Sequence, residues 1–527
     1  MVYQASNFLE FLDKEKVVQR LWARDATLFS DDPVVQRKIR DRLGWLFAVP
    51  AMRVEVERLT TLAKTVLRQR HDRALVLGMG GSSLWPEVVG KHLRGTNGLL
   101  LRVLDSTHPE AVADALAWCK LGKPLFVYAT KSGGTIEPLS MYRFFRSHYP
   151  DGQDFVAITD PGSGLQALAK AEEFRDVFLN PPDIGGRFSA ASLFGLVPAA
   201  LAGVRLHDAL TKVQEALEAC RDDDVAGNPG CVLGVQMAEA YRSGRWQLRL
   251  ALSKDVRGFG AWVEQLVAES TGKQGHGLLP VCGGVDGNGP ELAEKLGHCL
   301  VCGITTFQHP DEPFVARSDE AGVPSASQVI PDPTDLWTEI VRWEFGTTIC
   351  GLLLGINPFD EPDVTSAKLA TQELLAGTRL PATPSREAEV GQIADLPRAL
   401  APELTTLNAD DYLAVLAYVA PTTQNLQRLE NLRVELQART SAAVTVQVGP
   451  RYLHSTGQFY KGGLAKGVFA VVQDFSRIGS TTSDLIIPQS DFSFGRLIQA
   501  QADGDVAVLR SRQKPVVVLR IVDKLVP

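Results

Sequence analysis

The sequence has little cysteine, no long uninterrupted apolar run and no excess of positive charge. Its 7 cysteines among 527 residues lie scattered at 119, 220, 231, 282, 299, 302 and 350. An odd number without the spacing of a disulfide framework points to a reducing compartment. Cys299 and Cys302 form one CxxC pair beside His298, but no second pair completes a zinc site, so no metal is expected. The most apolar stretch, Ala190 to Val204, holds a proline and glycines and falls short of the roughly 20 residues that span a bilayer, so no membrane segment is expected. The formal net charge of -7 speaks against a broad nucleic-acid surface and confines any anion site to a local one. The opening residues, MVYQASNFLEFLDKEK, mix acids with apolar positions and lack the basic region of a secretory signal. A cytoplasmic protein is expected.

What is present is a globular composition, 45% hydrophobic and 22% charged. The length exceeds one ordinary core and suggests roughly three domains. Residues 1–72 read as helical, because apolar residues recur at helical spacing in NFLEFLDKEKVVQRLW and MRVEVERLTTLAKTVLRQ. From Ala74 the pattern changes to strands alternating with helices: ALVLGM, LLLRVLDS, PLFVYAT and FVAITD. That alternation implies right-handed crossovers and a doubly wound parallel sheet over 73–225. A second α/β unit is expected over 226–380, with strands in RWQLRLALS and HCLVCGITTFQ and a long apolar helix from Asp335 to Leu354. The remainder, 381–527, reads as a mainly helical connection, a PATPSREAEV linker, and late strands in AAVTVQVG, VFAVVQDF and KPVVVLRIV. Those strands need a sheet to join, and the second unit's sheet is the economical choice.

Two loops carry the chemistry most plainly. LGMGGSSLWP at 77–86 and TKSGGTIE at 130–137 each follow a strand and offer glycine, serine or threonine where a helix begins. Glycine lets backbone fold around an oxyanion, hydroxyls add donors, and the helix start presents free N–H groups at its positive end. Gly81, Ser82, Ser83, Thr130, Ser132 and Thr135 are the expected phosphate contacts, with Lys131 as a nearby cation. The order of glycines does not fit a dinucleotide fingerprint.

Three further segments complete a series: GGRFSAASLFGL at 185–196, EQLVAESTGK at 264–273 and INPFDEPDVTSAK at 356–368. Together and in this order they resemble the phosphoglucose isomerase family. The resemblance implies two sugar isomerase (SIS) domains and the interconversion of glucose 6-phosphate and fructose 6-phosphate. It implies a sugar-phosphate ligand and no cofactor, since one base can take and return the proton. Glu269 matches that base, and Arg187 matches the cation facing the enediolate. Lys368 matches the lysine near the ring oxygen; Gln265 falls among the substrate contacts. Lys273 could pair with Glu269 or face water. A homodimer is also implied, since the family's ring-opening histidine commonly reaches in from a partner. Two other readings stay open: an isomerase that also accepts mannose 6-phosphate, and a non-catalytic regulator on the same domain.

The sequence departs from the family in three places. TKSGGTIEP stands where SKTFTTxET is common, and Glu361 stands where glutamine is usual, close enough to a phosphate to repel it unless protonated or turned away. The histidine segment is displaced to PRYLHSTGQFYKGG at 450–463, after Lys368. That arrangement is similar to the isomerase portion of bifunctional transaldolase–phosphoglucose isomerase proteins. It makes His454 the expected ring-opening histidine, with His276 and His298 as rivals and Lys461 as a further candidate cation.

Overall fold

The computed structural model describes residues 7–283, 289–310, 313–475 and 484–522. Helices Phe8–Lys14, Val17–Trp22, Pro33–Arg40 and Ala48–Arg68 precede the first strand. Their apolar faces, among them Leu12, Leu21, Val56 and Leu59, are buried against the first sheet in one core.

The first sheet holds β1 (Arg73–Leu77), β2 (Leu100–Leu104), β3 (Pro124–Ala129), β4 (Phe155–Thr159) and β5 (Asp176–Leu179), all parallel, in the order β2-β1-β3-β4-β5. Its central strands are buried throughout, which explains why they read as unbroken apolar runs rather than as alternating ones. The chain crosses from β1 to one neighbour and then to the other. The crevice between β1 and β3 is therefore a topological switch point, where ligands of such sheets bind. Leu77 pairs with both Leu104 and Tyr128, so the loops leaving β1, β2 and β3 emerge level with one another.

The second sheet contains β6 (Gln247–Leu252), β7 (Leu279–Cys282), β8 (Cys299–Thr306) and β9 (Gln328–Ile330) in the order β7-β6-β8-β9. The expected long helix is Leu336–Leu353, with most of its side chains buried.

The expected parallel α/β architecture is the one found, with one correction. The late strands complete the second unit by packing on it, not by pairing with its sheet. They form a third parallel sheet from β10 (Arg386–Val390), β11 (Tyr412–Tyr418), β12 (Ala443–Val448), β13 (Gly467–Gln473) and β14 (Val516–Ile521), ordered β10-β14-β13-β11-β12. Two of these strands lay in segments read as linker and helix. β10 is an edge strand whose Arg386, Glu387 and Glu389 hide its periodicity and guard the open edge. β11, YLAVLAY, is buried at every position, and a continuous apolar run of seven does not distinguish strand from helix. With five strands the tail can sustain a sheet alone. Leu279 and Val281 of β7 share a core with Tyr412, Phe459 and Tyr460, which joins the second and third sheets.

Candidate active site

The loops leaving β1 and β3 line one cavity of about 380 Å³. Gly80 has φ +57°, and a Cβ there would lie 2.8 Å from Gln265 Nε2 and 3.0 Å from the His454 carbonyl oxygen. At Gly81 a Cβ would meet the Gly186 carbonyl oxygen at 1.9 Å. Glycine is thus what lets this loop touch the Arg187 segment and the tail at once.

Ser82, Thr130, Ser132 and Thr135 line the cavity as expected. Thr130 and Thr135 hydroxyl oxygens lie 3.3 Å apart. Thr135 starts helix Ile136–His148 without a side-chain cap, which leaves that end open to an anion. Two expected contacts are spent elsewhere. Ser83 is fully buried, its hydroxyl donating to the Gly80 carbonyl at 3.1 Å, and it does not line the cavity. Lys131 lines the cavity, but its ammonium pairs with Asp160 at 2.5 Å and donates to the Pro182 carbonyl at 2.8 Å.

Opposite these loops sits Glu269, on helix Phe259–Thr271. One carboxylate oxygen accepts from Gln265 Nε2 at 3.1 Å, four residues back on the same helix face; the other lies 3.4 Å from Arg187 Nη1. Burial raises the Glu269 pKa above the ordinary carboxylate value, and the Glu361 charge adds to this against the opposing pull of Arg187.

Arg187 is held on every side. Its Nε donates to Ser270 Oγ at 2.9 Å, and Nη2 donates to the Pro358 and Asp360 carbonyls at 2.7 and 2.9 Å. Nη1 faces Glu361 at 3.2 Å as well as Glu269. Glu361 therefore pairs with the guanidinium, which answers the concern that its charge stands free against a phosphate. Lys273 does neither of the two things expected of it. It is buried, donates to the Asn357 carbonyl at 2.6 Å and pairs with Asp360 at 2.8 Å, so it holds the segment that grips Arg187. Burial lowers its pKa to about 8.

His454 lines the same cavity, supplied by the protein's own tail. Its Nε2 faces Glu137 Oε1 at 3.1 Å, and its carbonyl accepts from Gln265 Nε2 at 2.9 Å. Gln265 thus bridges Glu269 and the histidine segment. Arg451, one turn before His454, ion-pairs with Glu87 behind the first phosphate loop and with Asp105 at 3.4 Å after β2. Lys368 projects from helix Val364–Leu375, exposed, and makes no ion pair among the described residues. With Ser132, Thr135 and His454 it also borders an adjoining chamber of about 220 Å³.

The rival groups are occupied away from the cavity. His276 Nδ1 lies 3.0 Å from the Tyr241 hydroxyl, and His298 pairs with Asp410 at 3.0 Å. Lys461 is buried against Asp505 at 2.6 Å. Among the described residues no group of three or more His, Cys, Asp or Glu is placed to hold a metal ion, and no helix is long and apolar enough to cross a membrane.

Sequence reasoning missed Glu137. It sits in the quoted TKSGGTIE segment, but an acid in a helix's first turn looks like dipole compensation, and only the tail's position reveals its partner. Burial alone would raise its pKa; the charges of His454 and Lys368 bring it below the ordinary carboxylate value.

No family model matches the sequence. The chain is 26% identical over 466 residues to the glucose-6-phosphate isomerase of Thermosynechococcus vestitus, covering 79% of this chain and 86% of that protein. It is 33% identical over 219 residues to the glucose-6-phosphate isomerase of Prochlorococcus marinus, covering 39% and 41%. The crystal structure of a glucose-6-phosphate isomerase from Chlamydia trachomatis aligns at a TM-score of 0.55 and 18% identity, over 71% of this chain and 86% of that one, a likeness of fold. Fold and cleft together define an α/β protein with parallel sheets whose cavity sets serine and threonine loops opposite a carboxylate, a guanidinium and an imidazole. The curated relatives it matches are glucose-6-phosphate isomerases, and the chain is a homologue of those proteins.

Proposed function

We propose that the protein interconverts glucose 6-phosphate and fructose 6-phosphate. The observation that carries this reading is a buried carboxylate, Glu269, 3.4 Å from a fully engaged arginine, in the cavity that also holds the serine and threonine loops. Its relatives' names support the same assignment.

In this reading the substrate phosphate sits against Ser82, Thr130, Ser132, Thr135 and the open helix start. Ring opening comes next. His454 takes the proton of the anomeric hydroxyl as the ring C–O bond breaks, and Lys368 gives one to the departing ring oxygen; exchange with solvent resets both groups. Glu269 then removes the proton beside the carbonyl, its raised pKa bringing it nearer to that task. Negative charge that appears on the enediolate oxygens is met by Arg187, whose attraction grows as the charge develops. The protonated Glu269 returns its proton to the neighbouring carbon while a hydroxyl proton passes from one enediolate oxygen to the other, and the sugar leaves isomerised. All groups come from one chain, so a monomer suffices for the chemistry. Free thiols at all seven cysteines fit a cytoplasmic setting.

The test is direct. Protein supplied with fructose 6-phosphate in chelator, coupled to a glucose-6-phosphate-specific dehydrogenase, should form glucose 6-phosphate. No product from the folded protein overturns the assignment.

A further inference from the structure

His454 heads a chain of four polar side chains, of which the mechanism uses only the first. Glu137 Oε1, which faces His454 Nε2, also accepts from Gln501 Nε2 at 2.8 Å, and Gln501 Oε1 accepts from the Thr107 hydroxyl at 2.6 Å. Glu137, Gln501 and Thr107 are buried, so each lost bond here would go unreplaced by water. Thr107 follows β2 and Glu137 follows β3, whereas Gln501 and His454 belong to the tail. The contact spans 394 residues of chain at Thr107 and 364 at Glu137.

A primary amide can present either of its ends, and a hydroxyl can donate or accept, so this pair alone would not fix its own direction. The carboxylate decides it. Ionised, it only accepts, so the amide must turn its NH2 towards Glu137, and the amide oxygen then requires the Thr107 proton. Oε1 now receives one donor from Gln501, and the remaining approach from Nε2 is satisfied only if the imidazole carries its proton there. The other ring nitrogen, Nδ1, makes no hydrogen bond among the described residues, on a ring that lines the cavity.

We propose that Gln501, anchored at its oxygen by Thr107 and turned by its NH2 to Glu137, is a positioning residue that holds the Glu137 carboxylate oxygen in place opposite His454 Nε2 and so keeps neutral His454 in its Nε2–H form, with Nδ1 free to take the sugar's hydroxyl proton. The proposal rests on the isomerase reading and adds residues from the tail to it. The other charged groups near this pair are Lys368, which acts on Glu137, and Glu269, which acts on His454; neither sets the amide's direction.

Two measurements test it. Nitrogen-15 spectra of histidine-labelled protein at pH 8, with the His454 signals assigned by their loss in His454→Ala, should show Nε2 protonated and Nδ1 bare. Gln501→Leu and the near-isosteric Thr107→Val should mix the two forms, whereas Thr107→Ser should keep the original one. Turnover of fructose 6-phosphate by Gln501→Leu and Thr107→Val should fall about tenfold with little change in KM, the value of one lost positioning hydrogen bond. Proton exchange on 5-deoxyfructose 6-phosphate, a ketose that cannot close a ring, should stay within about twofold. An unchanged histidine spectrum in both variants, or equal losses on the cyclic and acyclic sugars, overturns the proposal. A wild-type protein that does not isomerise fructose 6-phosphate overturns the proposed function instead, and the spectra still decide the orientation.

Discussion

The two ends of the cavity are built in different ways. The proposed phosphate end comes from two loops of one sheet, separated by about fifty residues and aligned by strand register at a switch point. The proposed acid–base end draws Arg187 from the first sheet's last loop, Glu269 from a helix of the second unit, Lys368 from a helix beyond it and His454 from the tail. One end is a property of local sequence, the other of long-range assembly. That difference assigns each end a kinetic signature. Groups gripping a constant phosphate act on ground and transition state alike and should appear in KM; groups meeting developing charge or moving protons should appear in kcat.

The largest expected effect belongs to the assembled end. Glu269→Gln should lower kcat by about 10²–10⁴-fold, with sugar-phosphate affinity by calorimetry nearly unchanged. Unaltered turnover would take the base away from position 269 and leave the division without content. His454→Ala should follow, slowing fructose 6-phosphate by about 10²-fold while an acyclic ketose phosphate loses far less. Equal losses on both sugars would move His454 out of ring opening. At the cradle, Ser132→Ala should raise KM by about tenfold, as expected for one hydrogen bond to a charged group, with kcat held. Should kcat fall instead, the two ends are coupled and the contrast fails. The smallest effect is a shift of profile. In the proposed mechanism Glu269 works ionised, so turnover should fall on the acid side of its raised pKa; burial sets most of that rise and Glu361 contributes to it. Glu361→Gln removes a like charge, lowers that pKa and should move the acid limb of kcat to lower pH. A limb that stays put or moves upward would mean that Glu361 does not act on the base.

Legibility followed the same contrast. Strands β1, β3 and β4 were visible because burial on both faces writes unbroken apolar runs, and the cradle was visible because its residues are neighbours in sequence. Arg187, Glu269 and Lys368 could be singled out only through the resemblance, since no spacing rule links residues a hundred positions apart; the structure brings them to one cavity. Ser83 was overread because an exposed and a buried hydroxyl look alike in sequence. Lys131 was overread because its partner, Asp160, follows a different strand. Gln501 gave no signal at all: a glutamine in an amphipathic helix is ordinary until its partners from the first sheet are known.

Arg451 ties the last-made part of the protein to Glu87, 364 residues earlier. Every other group lining the cavity precedes residue 450, so of the proposed site only His454 waits for the tail to be made. A folded chain that stopped before residue 450 would lack only His454 among the lining groups, and should favour an open sugar over a closed one.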